Sequence, residues 1–192
     1  MRSTQIPMRL SARSSLAFLI GTAVIPPASP AQSGPAVADF RSADSLALER
    51  TPCLGRCPVY RVILARSGHV RLEPGINRGY PDYATVPAPV RFDSIAPAQF
   101  EQLISAALAI RFDTLPPSIQ AVSALCDTAY TDASTAIVTI WMPDASKSVR
   151  HYRGCKRSPK NLRRFEDYID EITGAGAHMR PRRPPSPPSP HN

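Results

Sequence analysis

The chain has 192 residues, enough for one domain with tails, and its 23 Lys and Arg against 15 Asp and Glu give a net charge of +8. Much of that charge sits at the ends: without Arg2, Arg9 and Arg13 the balance is 20 to 15 (+5), and without Arg180, Arg182 and Arg183 it is 17 to 15 (+2) for residues 39–173. A nearly neutral domain lacks the concentrated basic face that nucleic-acid binding needs, so no nucleic-acid partner is expected.

Residues 1–38 read as a signal peptide and linker. Arg2, Arg9 and Arg13 form a positive start and Ser15 to Ile25 an apolar run, shorter than the ~20 apolar residues of a membrane span. Small residues then suit cleavage between Ala31 and Ala38, so the mature chain is expected outside the cytoplasm, periplasmic or extracellular, without a transmembrane helix. Residues 174–192 form a basic, Pro-rich tail, read as disordered and polyproline-like because proline fixes φ and has no N–H.

Residues 39–173 carry the periodic structure and are read as a single α+β domain. Leu46 and Leu48 can form an extra N-terminal strand. Val59 to Ala65 predicts a strand with Tyr60, Val62 and Leu64 on one face. Arg66-Ser67-Gly68 turns the chain, and His69 to Glu73 returns with Val70 and Leu72 inward. Residues 74–93 are rich in proline and glycine, with a short strand expected near Ala84 to Val86. Ile95 to Ile110 has helical spacing through Phe100, Leu103, Ile104, Ala107 and Leu108, with Ser94 as the expected N-cap.

The second half repeats this order. Ala136 to Trp141 is a strand with Ala136, Val138 and Ile140 on one face, Met142 to Ser146 a turn, and Lys147 to Tyr152 the return. Ser158 is the expected N-cap of a helix with Pro159 at its first position; Leu162, Phe165, Ile169 and Ile172 form its buried stripe, and Gly174 ends it. The expected architecture is an antiparallel sheet from two β-hairpins, each followed by an amphipathic helix packed on one face. The basic cluster Arg150, Arg153, Lys156, Arg157, Lys160, Arg163 and Arg164 reads as a solvated hairpin end and helix start, and Glu166, Asp167, Asp170 and Glu171 as a solvated helix face.

The cysteines carry the most specific signal. Cys53, Cys57, Cys126 and Cys155 make an even count in a chain read as exported, which favours two disulfides. Cys53–Cys57 with Cys126–Cys155 is the simplest of the three pairings, because Gly55 lets a tight ring close and the ends of the second hairpin lie side by side. The alternative is a thiol–disulfide redox pair at Cys53 and Cys57. Against it, a strand follows the pair, not the helix N-terminus that lowers a thiol pKa. A zinc reading combines Cys53 and Cys57 with His151 and Cys155, but the spacing fits no zinc knuckle and leaves Cys126 over. No metal or other cofactor is expected. Hydrolysis would need His151 to meet Asp127 or Asp132 and Ser134, and no Gly-x-Ser-x-Gly or His-Glu-x-x-His motif supports that.

Leu48 to Val62, with its Cys53-Leu54-Gly55-Arg56-Cys57-Pro58-Val59-Tyr60 centre, and Ser67-Gly68-His69-Val70 resemble the opening of the bacterial domain-of-unknown-function family 6438. Thr131-Asp132-Ala133, His151-Tyr152-Arg153-Gly154-Cys155, Leu162 and Tyr168 to Ile172 resemble its later part, so the resemblance covers about residues 45–173. Residues 74–93 depart from it, being more proline-rich. The resemblance implies an exported envelope protein and no particular activity. Folding signals account for nearly every marked residue and leave no catalytic set over, so the expected function is non-enzymatic binding of an envelope protein or cell-wall component. Arg56, Tyr60, His69 and Arg71 around the first hairpin are the expected contact residues. A further reading gives the basic tail the role of a tether to an acidic wall polymer.

Overall fold

The computed structural model describes residues 39–55, 57–75 and 89–178. The expected signal segment, Arg56, the strand near Ala84 to Val86 and most of the Pro-rich tail lie outside them. Strand β1 spans Ser45–Arg50, β2 Tyr60–Ala65, β3 His69–Pro74 and β4 Arg91–Ser94. Helix α1 (Pro97–Ala109), β5 (Ser118–Ile119), β6 (Thr135–Met142), β7 (Ala145–Tyr152), α2 (Lys160–Thr173) and α3 (Ala175–His178) follow.

All seven strands join one sheet in the order β4-β3-β2-β1-β6-β7-β5. The expected sheet of two merged hairpins is thus corrected. The hairpins β2–β3 and β6–β7 do not pair with each other; β1 lies between them and pairs antiparallel with β2 on one side and β6 on the other. Leu46 and Leu48 are buried toward the helices, and Ala47, on the other face, is buried too, a small residue flanked by Ile63 and Thr139. The sheet is also mixed, because β5 runs parallel to β7. The chain crosses to that edge from the end of α1, and the long connection between the parallel neighbours β5 and β7 runs through β6. The Arg150 N–H donates to Pro117 O at 2.9 Å and Lys147 Nζ to Leu115 O at 2.6 Å, fastening the crossover to β7.

Period-two alternation sets which face is covered. Leu46, Leu48, Tyr60, Val62, Leu64, Val70 and Leu72 point to one side with Ala136, Val138, Ile140 and Val149. They form one hydrophobic cluster with Phe100, Leu103, Ile104 and Ala107 of α1 and Leu162, Phe165 and Ile169 of α2. Phe112, in a short 3-10 turn after α1, sits 6.0 Å from the Phe40 ring and 5.9 Å from the Phe165 ring, tying the N-terminal turn and α2 together.

Helix starts differ from the expected caps. Ser94 is committed to β4, opposite His69, so α1 begins at Pro97 with Ala96 as N-cap; Gln99 Oε1 accepts the Ala96 N–H at 3.0 Å. Helix α2 begins one residue later than expected, with Pro159 at the cap and Lys160 first. Gly174 does end α2, in the left-handed region at φ 67°, where a side chain would strain the backbone. Ala175 beyond it is fully buried and opens α3, so the first residues read as tail form a helical turn on the domain. In the β2–β3 turn Gly68 has φ 90°, and a Cβ there would lie 2.2 Å from Ile95 O, the approach that lets the Ile95 N–H donate to Gly68 O at 2.9 Å.

Candidate functional site

Cys53 and Cys57 are bridged, with Cα atoms 5.8 Å apart, and Cys126 and Cys155 are bridged with Cα atoms 5.2 Å apart. The first ring sits between β1 and β2, held where the Leu54 N–H donates to Asp132 O at 3.1 Å, and Leu54 itself is exposed. The second bridge is buried and joins the loop before β6 to the turn after β7, reinforced by pairing of Ala129 with Cys155.

The densest polar group lies under α2. One inward row of the sheet reads Pro74, Tyr60, Arg50, Ala136, His151 and Ile119 across adjacent strands. Ala136 is its small member, and Glu166 of α2 reaches the two residues flanking it. His151 Nδ1 donates to Glu166 Oε1 at 2.6 Å, both side chains being 0% exposed. Arg50 Nη1 donates to Glu166 Oε2 at 3.4 Å, and Arg153 Nη1 donates to the same oxygen. Arg50 Nη2 donates to Asp170 Oδ2 at 2.7 Å and to Asp167 Oδ1 at 3.3 Å, and the Tyr60 hydroxyl donates to Asp170 Oδ1. Two guanidinium groups and an imidazole thus converge on carboxylates from a single helix.

The electrostatics follow from that packing. Burial works against the charge on Arg50, but the charges of Asp170 and Glu166 and the Asp170 hydrogen bond outweigh it and hold the guanidinium above its ordinary value. The Tyr60 phenol is pushed up, first by burial and then by the Asp170 carboxylate it serves as donor. Arg163 is held below its ordinary value, by burial and then by the Arg153 charge. It donates to the carbonyl oxygens of Arg153 at 2.8 Å and Cys155 at 3.3 Å.

Several expectations change here. Glu166 is not on a solvated face; it is fully buried, and Arg153 and Arg163 of the supposed solvated basic cluster are engaged by it or by backbone. Tyr60, expected at a contact surface, is buried and spent on Asp170. His69 and Arg71 are exposed and share the opposite face of the sheet, Arg71 pairing with Glu73 at 2.9 Å. His151 does not meet Asp127, which pairs with Arg157 at 3.2 Å, nor do the zinc candidates converge; among the described residues no three His, Cys, Asp or Glu side chains could hold a metal. Two signals for the buried network were present in the sequence. Arg50 continues the period of Leu46 and Leu48, and Glu166 lies four residues after Leu162 and three before Ile169.

The outward face carries no described helix. Its rows read Phe92, Arg71, Ile63, Ala47, Thr139, Ser148 and, beside it, Glu73, Arg61, Glu49, Ile137, Arg150, Ser118. Phe92 is 77% exposed, and Ile63, Ile137 and Trp141 are half-buried. Charged, apolar and small side chains alternate over this surface.

These features define a cystine-bridged α+β domain with helices on one side of a mixed seven-stranded sheet. The chain belongs to the family described as Domain of unknown function (DUF6438), whose model matches residues 44–173. No curated protein matches the chain. No helix among the described residues is long and apolar enough to cross a membrane.

Proposed function

We propose that the chain is an exported, cystine-stabilised module of the bacterial envelope that binds a protein or cell-wall partner through the face of its sheet that no described helix covers, and carries out no reaction of its own. The observation that carries this reading is how the two faces divide the polar residues. His151, Glu166 and Arg50 face the helices and are buried in contacts with one another, where a substrate would have to displace α2 to reach them. His69, Arg71 and Phe92 stand on the other face, exposed. Export is supported by the arginine-led apolar N-terminus and by two disulfides, which persist in oxidising compartments.

Co-precipitation from the envelope fraction tests this. A His69→Glu/Arg71→Glu variant, altered at exposed positions, is expected to lose a partner that the native chain retains while unfolding at the same temperature. Equal capture by both chains refutes the assignment of the face. Turnover in a hydrolase screen that vanishes in His151→Ala refutes the non-enzymatic reading.

A second reading, thiol–disulfide exchange at Cys53–Cys57, is favoured by one difference: both cysteines of this ring are half-exposed, whereas Cys126 and Cys155 are buried. It requires a reduction potential well above the roughly −300 mV ceiling of structural disulfides. A redox titration placing the ring below that value removes it.

A further inference from the structure

We propose that a cleft at the β5–β7 end of the sheet face that no described helix covers binds the free C-terminal carboxylate of a short peptide, with Arg150 as the anchor. This deepens the binding reading given above and rests on it. The cleft has a volume of about 310 Å³ and is lined by Gln120, Ala121, Thr135, Arg150 and Tyr152. That is near the lower end for small-ligand sites and suits one or two residues.

Arg150 is exposed and makes no ion pair with any described residue. Arg50, Arg66, Arg71, Arg111, Arg153 and Arg157 each lie within salt-bridge reach of a carboxylate, and Arg150 differs from them, and from Arg41, Arg61, Arg163 and Arg164, which also make no ion pair with a described residue, in lining the cleft. A guanidinium presents a planar fork of donors that matches both oxygens of a carboxylate. The groups around it fit what adjoins such a terminus. The Thr135 hydroxyl and Gln120 amide can each donate and accept, as a neighbouring peptide group requires. The Tyr152 ring and Ala121 methyl supply apolar walls for a small alkyl side chain. A sugar acid, ringed by hydroxyl groups, would leave some of them unpaired against those two walls.

The walls are fixed before any ligand arrives. The Tyr152 hydroxyl donates to Tyr130 O at 2.7 Å and accepts the Ala133 N–H at 3.1 Å, so the ring cannot swing away. The Arg150 N–H holds the β5 crossover at Pro117 O, and the Cys126–Cys155 bridge anchors the loop that follows β5. A preformed site needs little ordering on binding, which favours even a small ligand.

Amide chemical shifts of the isotope-labelled full chain, titrated with N-acetyl-alanyl-alanine, its C-terminal amide and galacturonate, test the assignment. The free acid is expected to produce saturable shifts at Gln120, Ala121, Thr135, Arg150 and Tyr152, with a Kd on the order of 1 mM. Arg150→Gln and the amide ligand are each expected to weaken binding about tenfold or more, with Arg150→Lys between them because it keeps charge without the fork. Absence of saturable shifts, or equal binding of the amide, overturns the carboxylate site. Equal or tighter binding of galacturonate overturns the peptide assignment. Arg71→Glu, four strands away in the sheet, is expected to leave this titration unchanged. That same position reports on the wider face in the co-precipitation assay, so failure of the cleft and failure of the face are read separately.

Discussion

Removing the Glu166 carboxylate tests the buried network most directly. In Glu166→Ala, His151 loses its 2.6 Å acceptor, and Arg50 and Arg153 lose one oxygen they share. Arg50 retains Asp170 at 2.7 Å and Arg153 retains the largely exposed Asp167 at 3.1 Å, so neither cation is wholly stranded. The His151 ring keeps no partner: its Nε2 has none among the described residues, and Nδ1 then has none either. Breaking one partner from a buried charged pair costs about 3–5 kcal/mol, and the carboxylate side chain also leaves a void. Against a total stability of about 5–15 kcal/mol, this is a large fraction. For a domain of this size it corresponds to a Tm lower by roughly 10–20 °C. Urea and thermal unfolding of the oxidised protein, followed by far-UV circular dichroism, measure it. Glu166→Gln, which keeps one acceptor oxygen for His151, is expected to fall between the two. An alanine variant within about 1 kcal/mol of the native chain refutes the claim that this network fastens α2 to the sheet. A double-mutant cycle of Arg50→Ala with Glu166→Ala then apportions the pair and is expected to show coupling of about 1–3 kcal/mol.

Two further outcomes are expected. The raised Tyr60 pKa makes the folded state hold a proton that the unfolded state releases. Its contribution is therefore complete below the free tyrosine value of about 10 and declines as pH rises above it toward the folded value. Tyr60→Phe should lower stability near neutrality through loss of the Asp170 bond and flatten the alkaline fall; an unchanged alkaline slope in titrated unfolding rules out the linkage. Among the disulfides, loop closure predicts about 3–4 kcal/mol lost in Cys126→Ser/Cys155→Ser, whose cysteines are 29 residues apart, and about 2 kcal/mol in Cys53→Ser/Cys57→Ser, separated by 4. Denaturant midpoints showing the reverse order refute the view that the second bridge is the main staple.

Local pattern was enough for much of the fold. Alternation at Tyr60, Val62 and Leu64 and at Ala136, Val138 and Ile140 gave the correct inward faces, and the spacing of Phe100 to Ala107 and Leu162 to Ile169 gave both helical stripes. Strand neighbours depend on contacts far apart in the chain, and no local period encodes them. For that reason β1 read as an accessory and is the centre, and β4 and β5, with four and two residues, left no readable alternation. The same limit applies to the charges. Glu166 reads as a solvated helix residue and Arg50 carries no reading of its own, because a charge in an apolar register is stable only beside its opposite, and the two are 116 residues apart. The sequence alone determined which apolar residues of the long strands and helices turn inward. Which strands adjoin, which charges neutralise each other and which face of the sheet the helices cover were decided only when distant segments packed together, since each of those outcomes is a pairwise energy between groups that the chain order does not bring close.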